Sequence, residues 1–173
     1  MYLVQSLGDP GSGIMAQPVR AFLKNSGTSP EEIALLMGIV GLPWAMKPLF
    51  GFISDFVPIF GSRRRIYLIL ATLGAFLGTS LLAGLPILQG GASWLLALLL
   101  LSSIGVAFGD VLIDSIMVSE GQPRGLTGIL QSVQWTAAYA GLLATGFIGG
   151  FFAQINRPDL AFALCSLLWG LSL

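Results

Sequence analysis

Apolar residues fill five long stretches of the chain and part of a sixth, with short polar segments between them. A helix that crosses a bilayer needs about 20 mostly apolar residues. The five long stretches run from about Tyr2 to Leu23, Ile33 to Ser54, Ile66 to Leu88, Trp94 to Val118 and Leu126 to Ala153. The sixth follows Arg157 and Pro158 and reaches Leu173, which is short for a span. The pattern predicts an all-α membrane protein of six helices, the last of them truncated.

Two local signals refine this prediction. Thr28-Ser-Pro-Glu31 precedes the second stretch and is typical of a helix start, with an N-cap and acids in the first turn. The first stretch is the least regular, because it contains Asp9, Pro10 and several glycines. Little chain precedes it, and no charge follows the last stretch. We therefore expect residues 1–173 to be one half of a longer protein.

Composition makes the bilayer the only plausible solvent. The chain is 55% hydrophobic and 9% charged, with a mean hydropathy of +0.87, whereas soluble domains carry about 25% charged residues. A net charge of zero gives no reason to expect a nucleic-acid partner. The chain has no histidine and one cysteine, so a histidine-based site and an internal disulfide are excluded. We expect no cofactor.

Basic residues in short loops predict the orientation. Arg63, Arg64 and Arg65 separate the second and third stretches, and Arg124 separates the fourth and fifth. The opposite side mixes basic residues with acids: Lys24, Glu31, Glu32, Arg157 and Asp159. Because short cytoplasmic loops are enriched in lysine and arginine, the N-terminus and both arginine loops are predicted to be cytoplasmic.

Apart from Arg20 near the end of the first stretch, four charged residues lie inside the apolar stretches: Asp9, Lys47, Asp110 and Asp114. A charge near the bilayer centre costs at least about 2.5–3.5 kcal/mol, so such groups face a wet cavity or one another. With a rise of about 1.5 Å per residue, Lys47 lies about 12 Å inward from Asp55, and Asp110 lies about 15 Å inward from Glu120. Their similar depth predicts an ion pair between Lys47 and Asp110 or Asp114.

Two roles for these charges remain open. Asp110 and Asp114 are four residues apart and share one helix face, where mutual repulsion and burial favour a bound proton. They could therefore form a proton and solute pathway, or they could be buried pairs that only hold the helices together. Polar and aromatic neighbours are further candidates for the wall of such a pathway: Trp44, Gln131, Gln134 and Trp135. Either tryptophan could stack on a flat solute or simply pack in the core.

Small residues and a faint repeat suggest how the helices pack. Gly105-xxx-Gly109 and Gly146-xxx-Gly150 have the spacing that allows two helices to approach closely. Gly8-Asp9 and Gly109-Asp110 are similar dipeptides in the first and fourth stretches. They suggest two three-helix units of inverted topology, an arrangement known in carriers.

Several motifs resemble one family of carriers. Lys47-Pro-Leu-Phe-Gly-Phe-Ile-Ser-Asp55 followed by Gly61-Ser-Arg-Arg-Arg65 resembles the loop signature of the major facilitator superfamily. Tyr2-Leu-Val-Gln5, Leu42-Pro-Trp and the acidic segment Ala107-Phe-Gly-Asp-Val-Leu-Ile-Asp-Ser115 are similar to the folate–biopterin transporter family. The resemblance implies the N-terminal six-helix half of such a transporter, with a C-terminal half as its partner.

The resemblance also implies roles for individual residues. Gly51, Asp55 and Arg63 to Arg65 would form a cytoplasmic gate. Lys47, Asp110 and Asp114 would line the cavity, and Lys47 or Arg20 would meet an anionic substrate.

The resulting hypothesis is a proton-coupled carrier, not an enzyme, for a pterin- or folate-like organic anion in a bacterial inner or plastid membrane. The alternatives are a muropeptide- or acetyl-CoA-type carrier, a membrane enzyme acting on a lipid-linked substrate, and a membrane fragment that does not transport.

Overall fold

The computed structural model of the chain describes residues 1–59, 64–84 and 87–173. The described residues are mostly helical, and the connections between helices are short. The helices are α1 (Tyr2–Gly8), α2 (Ala16–Asn25), α3 (Pro30–Ala45), α4 (Lys47–Phe56), α5 (Arg65–Gly84), α6 (Ile87–Gly121), α7 (Thr127–Gln154) and α8 (Pro158–Gly170).

Four helical segments are long and apolar enough to cross a membrane. They are Pro30–Phe56, which joins α3 and α4, then Arg65–Gly84, Ser93–Arg124 and Thr127–Gln154. The predicted all-α membrane fold is thereby confirmed. The predicted count of six spanning helices is not confirmed, because α8 has only 13 residues and the first apolar stretch is divided into α1 and α2.

The division between α1 and α2 has a local cause. Asp9 leaves the helix with an extended backbone, at φ −68° and ψ 128°. Pro10 follows it, and a residue before proline is pushed out of the helical region by steric contact with the proline ring. The chain then turns back on itself, since Ile14 N donates to Leu7 O at 2.8 Å and Gly13 N donates to Asp9 O at 2.7 Å. The first stretch is therefore a broken helix and not one regular span.

The second predicted stretch corresponds to the segment Pro30–Phe56, which begins as predicted and is interrupted near its middle. Ser29 caps α3 and forms a capping box with Glu32. Met46 separates α3 from α4, two residues before Pro48, which has no N–H to donate to the Trp44 carbonyl across this junction. Lys47 is the first residue of α4, so the charged side chain lies at this interruption.

The closest packing in the bundle joins α5 to α6. At Gly105 an added Cβ would lie 2.6 Å from Ala75 N and would also overlap Ala71 O. At Gly78 it would lie 2.8 Å from Leu98 O. Only glycine fits at these two positions, so the backbones themselves are in contact. At Gly109, by contrast, an added Cβ would lie 3.6 Å from the Gln5 amide, which is ordinary contact.

The predicted close contact at Gly146 and Gly150 is wrong for Gly146. An added Cβ there would meet nothing within 4 Å. The close contact of α7 is made on a different face of the helix, at Gly141 and Gly149. An added Cβ would lie 2.6 Å from Ser6 Cβ at Gly141 and 2.9 Å from Ile14 O at Gly149. Gly141, Thr145 and Gly149 are buried and four residues apart, so they share the face that packs on α1 and the break after it.

We expect Gly105→Ala to destabilise the full-length protein by about 1–3 kcal/mol, because the methyl group would have to separate two helix backbones. The matched control is Gly74→Ala in α5, where an added Cβ would lie 3.9 Å from Leu101 O. Thermal unfolding of the detergent-purified variants measures the difference. Equal melting temperatures for Gly105→Ala and the wild type would contradict the packing described above.

Candidate functional site

A cavity of about 320 Å³, with several charged and polar side chains in its wall, lies between α1, the α3–α4 junction, α6 and α7. This volume is at the lower end of the range for small-molecule sites. Seven of the nine residues predicted for a pathway line it: Asp9, Trp44, Lys47, Asp110, Asp114, Gln134 and Trp135. The remaining two, Arg20 and Gln131, lie elsewhere.

The predicted ion pair is present in this cavity. Lys47 Nζ lies 2.6 Å from Asp110 Oδ2. The exposed fraction is 32% for the Lys47 side chain and 11% for the Asp110 side chain. Gln5, from α1, is oriented so that its nitrogen donates to Asp110 Oδ1 at 3.3 Å and its oxygen accepts from Asp110 N at 3.0 Å. Asp110 thus joins α1, α4 and α6 at one point.

Asp114 has different surroundings. Tyr2 Oη donates to Asp114 Oδ1 at 2.7 Å, and Gln134 Nε2 donates to the same oxygen at 3.0 Å. Both donors are neutral, and within the described residues no ion pair involves Asp114. The two carboxylates that the sequence places on one helix face are therefore chemically unequal, one paired with a cation and one held by neutral donors.

Asp9 closes the break in the first helix. It is 4% exposed, and its Oδ2 accepts hydrogen bonds from Ser12 N at 2.9 Å and Ser12 Oγ at 2.8 Å. Its Oδ1 accepts from Trp44 Nε1 at 3.1 Å. A short acidic side chain that bonds to the backbone three residues on is a common way to hold such a turn. Asp9 therefore fixes both the turn and the position of Trp44.

The two tryptophans predicted at the site have different neighbours. Lys47 Nζ lies 4.3 Å from the centre of the Trp44 ring, so a cation already occupies one face of that ring. Trp135 instead stacks on Tyr139, with ring centres 5.7 Å apart and an interplanar angle of 28°. Trp135 and Tyr139 are about half exposed, Trp44 is less exposed, and all three border the cavity. Of the two tryptophans, Trp135 has the more accessible ring.

Arg20 and Gln131 do not border this cavity. Arg20 lies on α2, where its guanidinium donates to Gly11 O at 3.1 Å, and it lines a separate groove with Lys24 and Ile33. Gln131 is exposed on α7, one turn before Trp135. In this conformation Lys47 is the lining residue that could meet an anion, and it is already paired with Asp110.

The predicted gate residues that the structure describes lie on α4, which contains Gly51 and Asp55, and at the start of α5, where Arg64 and Arg65 lie. Arg64 donates to Ser119 Oγ at 2.9 Å and to Ser115 O at 3.4 Å, and it approaches Asp55 Oδ1 at 4.0 Å. It therefore links α4 to α6. Arg65 is exposed, and Gly51 faces Val111 with room for a methyl group. The prediction for Arg63 lies outside the described residues.

Sequence reasoning missed three lining residues on α1: Tyr2, Gln5 and Ser6. A signal for them was present. Together with Asp9 they occupy positions i, i+3, i+4 and i+7, which is one face of a helix. A polar face on an otherwise apolar helix predicts contact with a polar cavity. Tyr2 and Gln5 then supply the hydrogen bonds to Asp114 and Asp110 described above.

Comparisons with known proteins agree on one family. The model of the BT1 family matches residues 11–173. A folate-biopterin transporter of Synechocystis sp. is 36% identical over 96% of this chain and 33% of its own length. The probable folate-biopterin transporters 4 and 8 (chloroplastic) of Arabidopsis thaliana are 30% and 31% identical, over 84% and 83% of this chain and 30% and 26% of their own lengths. The chain thus spans about a third of these relatives. No solved structure matches it significantly.

Proposed function

The chain belongs to the BT1 family, and on that premise we propose that it is part of a secondary carrier for a pterin- or folate-like organic anion. Since it spans about a third of its relatives, the carrier meant here is the full-length protein. The names of the relatives support this solute class over muropeptides or acetyl-CoA. The apolar helices, with relatives from a cyanobacterium and from chloroplasts, fit a multi-pass protein of a bacterial or plastid membrane.

One observation carries the proposal: the charges inside the apolar helices converge on one cavity. Lys47, Asp110 and Asp114 come from two helices that the sequence separates by about sixty residues, and all three line the same space. Charges that served only to join helices would need no cavity beside them. Intramembrane ionisable groups around a cavity are typical of a solute or ion pathway, and this arrangement supports a carrier rather than an enzyme.

We propose that a C-terminal half completes the site. The cavity is open beside Trp135 and Tyr139, whose rings are 52% and 59% exposed. In carriers of this kind the substrate site lies between two repeats, and one moves against the other to alternate access. Arg64 joins α4 to α6 at one end of this half, which suits a contact that opens and closes during that movement.

We further propose that transport is coupled to protons through Asp110 or Asp114. Asp110 is buried, with an 11% exposed side chain, and a buried carboxylate charge is costly unless a cation compensates it. Lys47 provides that compensation for Asp110. A conformational change that separates the pair would favour proton uptake, and one that restores it would favour release.

The proposal predicts that full-length protein reconstituted in liposomes takes up radiolabelled folate or biopterin. The chain of residues 1–173 alone is expected to show no uptake, because the second wall of the site would be absent. Uptake is measured by rapid filtration, with unlabelled muropeptide and acetyl-CoA as competitors. Uptake of neither pterin nor folate by a correctly folded full-length protein would refute the solute class. Robust uptake by the monomeric chain alone would refute the half-carrier assignment.

A further inference from the structure

The cavity wall formed by this chain is acidic. Its described lining contains three carboxylates, Asp9, Asp110 and Asp114, and one cation, Lys47. Asp110 pairs with that cation, and Asp9 is enclosed by Ser12 and Trp44. Asp114 is left with neutral donors only. A wall of this charge suits a part of the substrate that donates hydrogen bonds, and it does not suit an anionic tail.

Asp114 has one oxygen available for such a donor. Tyr2 and Gln134 both donate to Oδ1, and within the described residues no hydrogen bond reaches Oδ2. An ionised carboxylate only accepts hydrogen bonds and has capacity for several. Asp114 also lies in the C-terminal third of α6 and borders the cavity. It can therefore accept an N–H from a bound molecule without breaking the bonds that hold it in place.

Two aromatic residues of α7, Trp135 and Tyr139, line the same cavity as Asp114. Gln134 and Trp135 are consecutive on α7, so the bond from Gln134 to Asp114 holds that part of α7 against α6. Trp135 and Tyr139 stack on each other and border the cavity with half-exposed rings. A flat heteroaromatic ring that packs on this pair would bring its edge towards Asp114.

We propose that Asp114 recognises the amino–amide edge of a 2-amino-4-oxopteridine ring, which packs against Trp135 and Tyr139. The proposal rests on the proposed function and names the part of the substrate that this half binds. The 2-amino group donates to the available Asp114 Oδ2, and the neighbouring ring N–H lies on the same edge of the ring. The anionic tail of the substrate then binds outside this wall, and Asp110 is the residue that carries the proton.

The test compares biopterin with its analogue lacking the 2-amino group, as competitors of labelled folate in the full-length protein. The wild type is expected to bind biopterin at least about tenfold more tightly, since a hydrogen bond to a charged group is lost with the amino group. Asp114→Asn is expected to bring the two affinities together, mainly by weakening biopterin. The matched control is Glu120→Gln on the same helix, an exposed acid paired with Arg124, which should keep the wild-type ratio.

Two results would overturn the assignment. The first is a wild type that does not distinguish the two compounds, and the second is an Asp114→Asn variant that keeps the wild-type ratio, including one that weakens both compounds equally. Folding of each variant is checked by gel filtration. If Asp114→Asn does not fold, Asp114→Glu is used, and it should retain a preference for biopterin because it keeps the carboxylate. A wild type that binds neither compound nor folate would instead refute the proposed function.

Discussion

Lys47→Met is expected to abolish uptake by the full-length protein and to lower its free energy of unfolding by about 1.5–3 kcal/mol. The substitution keeps the length of the side chain and removes the ammonium group that lies 2.6 Å from Asp110. Asp110, whose side chain is 11% exposed, would then be a charged group whose one remaining polar side-chain partner among the described residues is Gln5. Thermal unfolding and uptake assays on the same preparation measure both effects.

Two further variants make this prediction specific. Lys24→Met removes the other lysine of the chain, which is exposed at the end of α2, and should change neither stability nor uptake. The double variant Lys47→Met with Asp110→Asn should recover most of the lost stability, because no unpaired charge remains buried. It should not recover transport. A double variant less stable than Lys47→Met would mean that the two residues do not stabilise each other.

The second large effect is expected at Asp110 under a pH gradient. Wild-type protein in vesicles with an acidic exterior should accumulate substrate above equilibrium, because proton entry through the carrier drives uptake. Asp110→Asn cannot gain or lose a proton and should show only downhill exchange. Asp114→Asn should weaken substrate binding, and the uptake that remains should still depend on the pH gradient. Accumulation is followed with and without an ionophore that collapses the gradient.

Glu120→Gln, at an exposed end of α6, is the control for a general effect of removing a carboxylate. It should accumulate substrate as the wild type does. The assignment of the proton to Asp110 is wrong if wild-type uptake ignores the gradient, and equally if Asp110→Asn retains full accumulation.

The sequence predicts the Lys47–Asp110 contact because depth in a membrane can be read from residue counts. Residue counts place both side chains near mid-membrane, and the cost of leaving either charge alone favours their pairing. The partners of Asp114 could not be found in this way. Tyr2 lies close to the start of the chain, and its contact with Asp114 spans 112 residues. It depends on how α1 packs, which residue counts along single helices do not reveal.

The glycine positions show a second limit of sequence reasoning. Gly105 and Gly146 both belong to small-xxx-small patterns, yet only Gly105 lies against a neighbouring helix. The spacing identifies a face on which close packing is possible, and the partner helix decides which face is used. In α7 the partner is the broken first helix, so Gly141 and Gly149 make the contact instead. The break itself was signalled by Pro10, but the Asp9–Ser12–Trp44 contacts that close it were not.

The long sequence separation of the central ion pair has a consequence for biogenesis. Lys47 and Asp110 are 63 residues apart, and a ribosome adds about 5–20 residues per second. The lysine is therefore synthesised about 3–13 s before its counter-ion. During that interval the segment Pro30–Phe56, with a mean hydropathy of 1.7, must enter the lipid with an unneutralised ammonium group or wait beside the translocon. Assembly of this part of the bundle is thus completed only after α6 emerges, and a nascent chain arrested before Asp110 would expose that lysine to quality-control proteases.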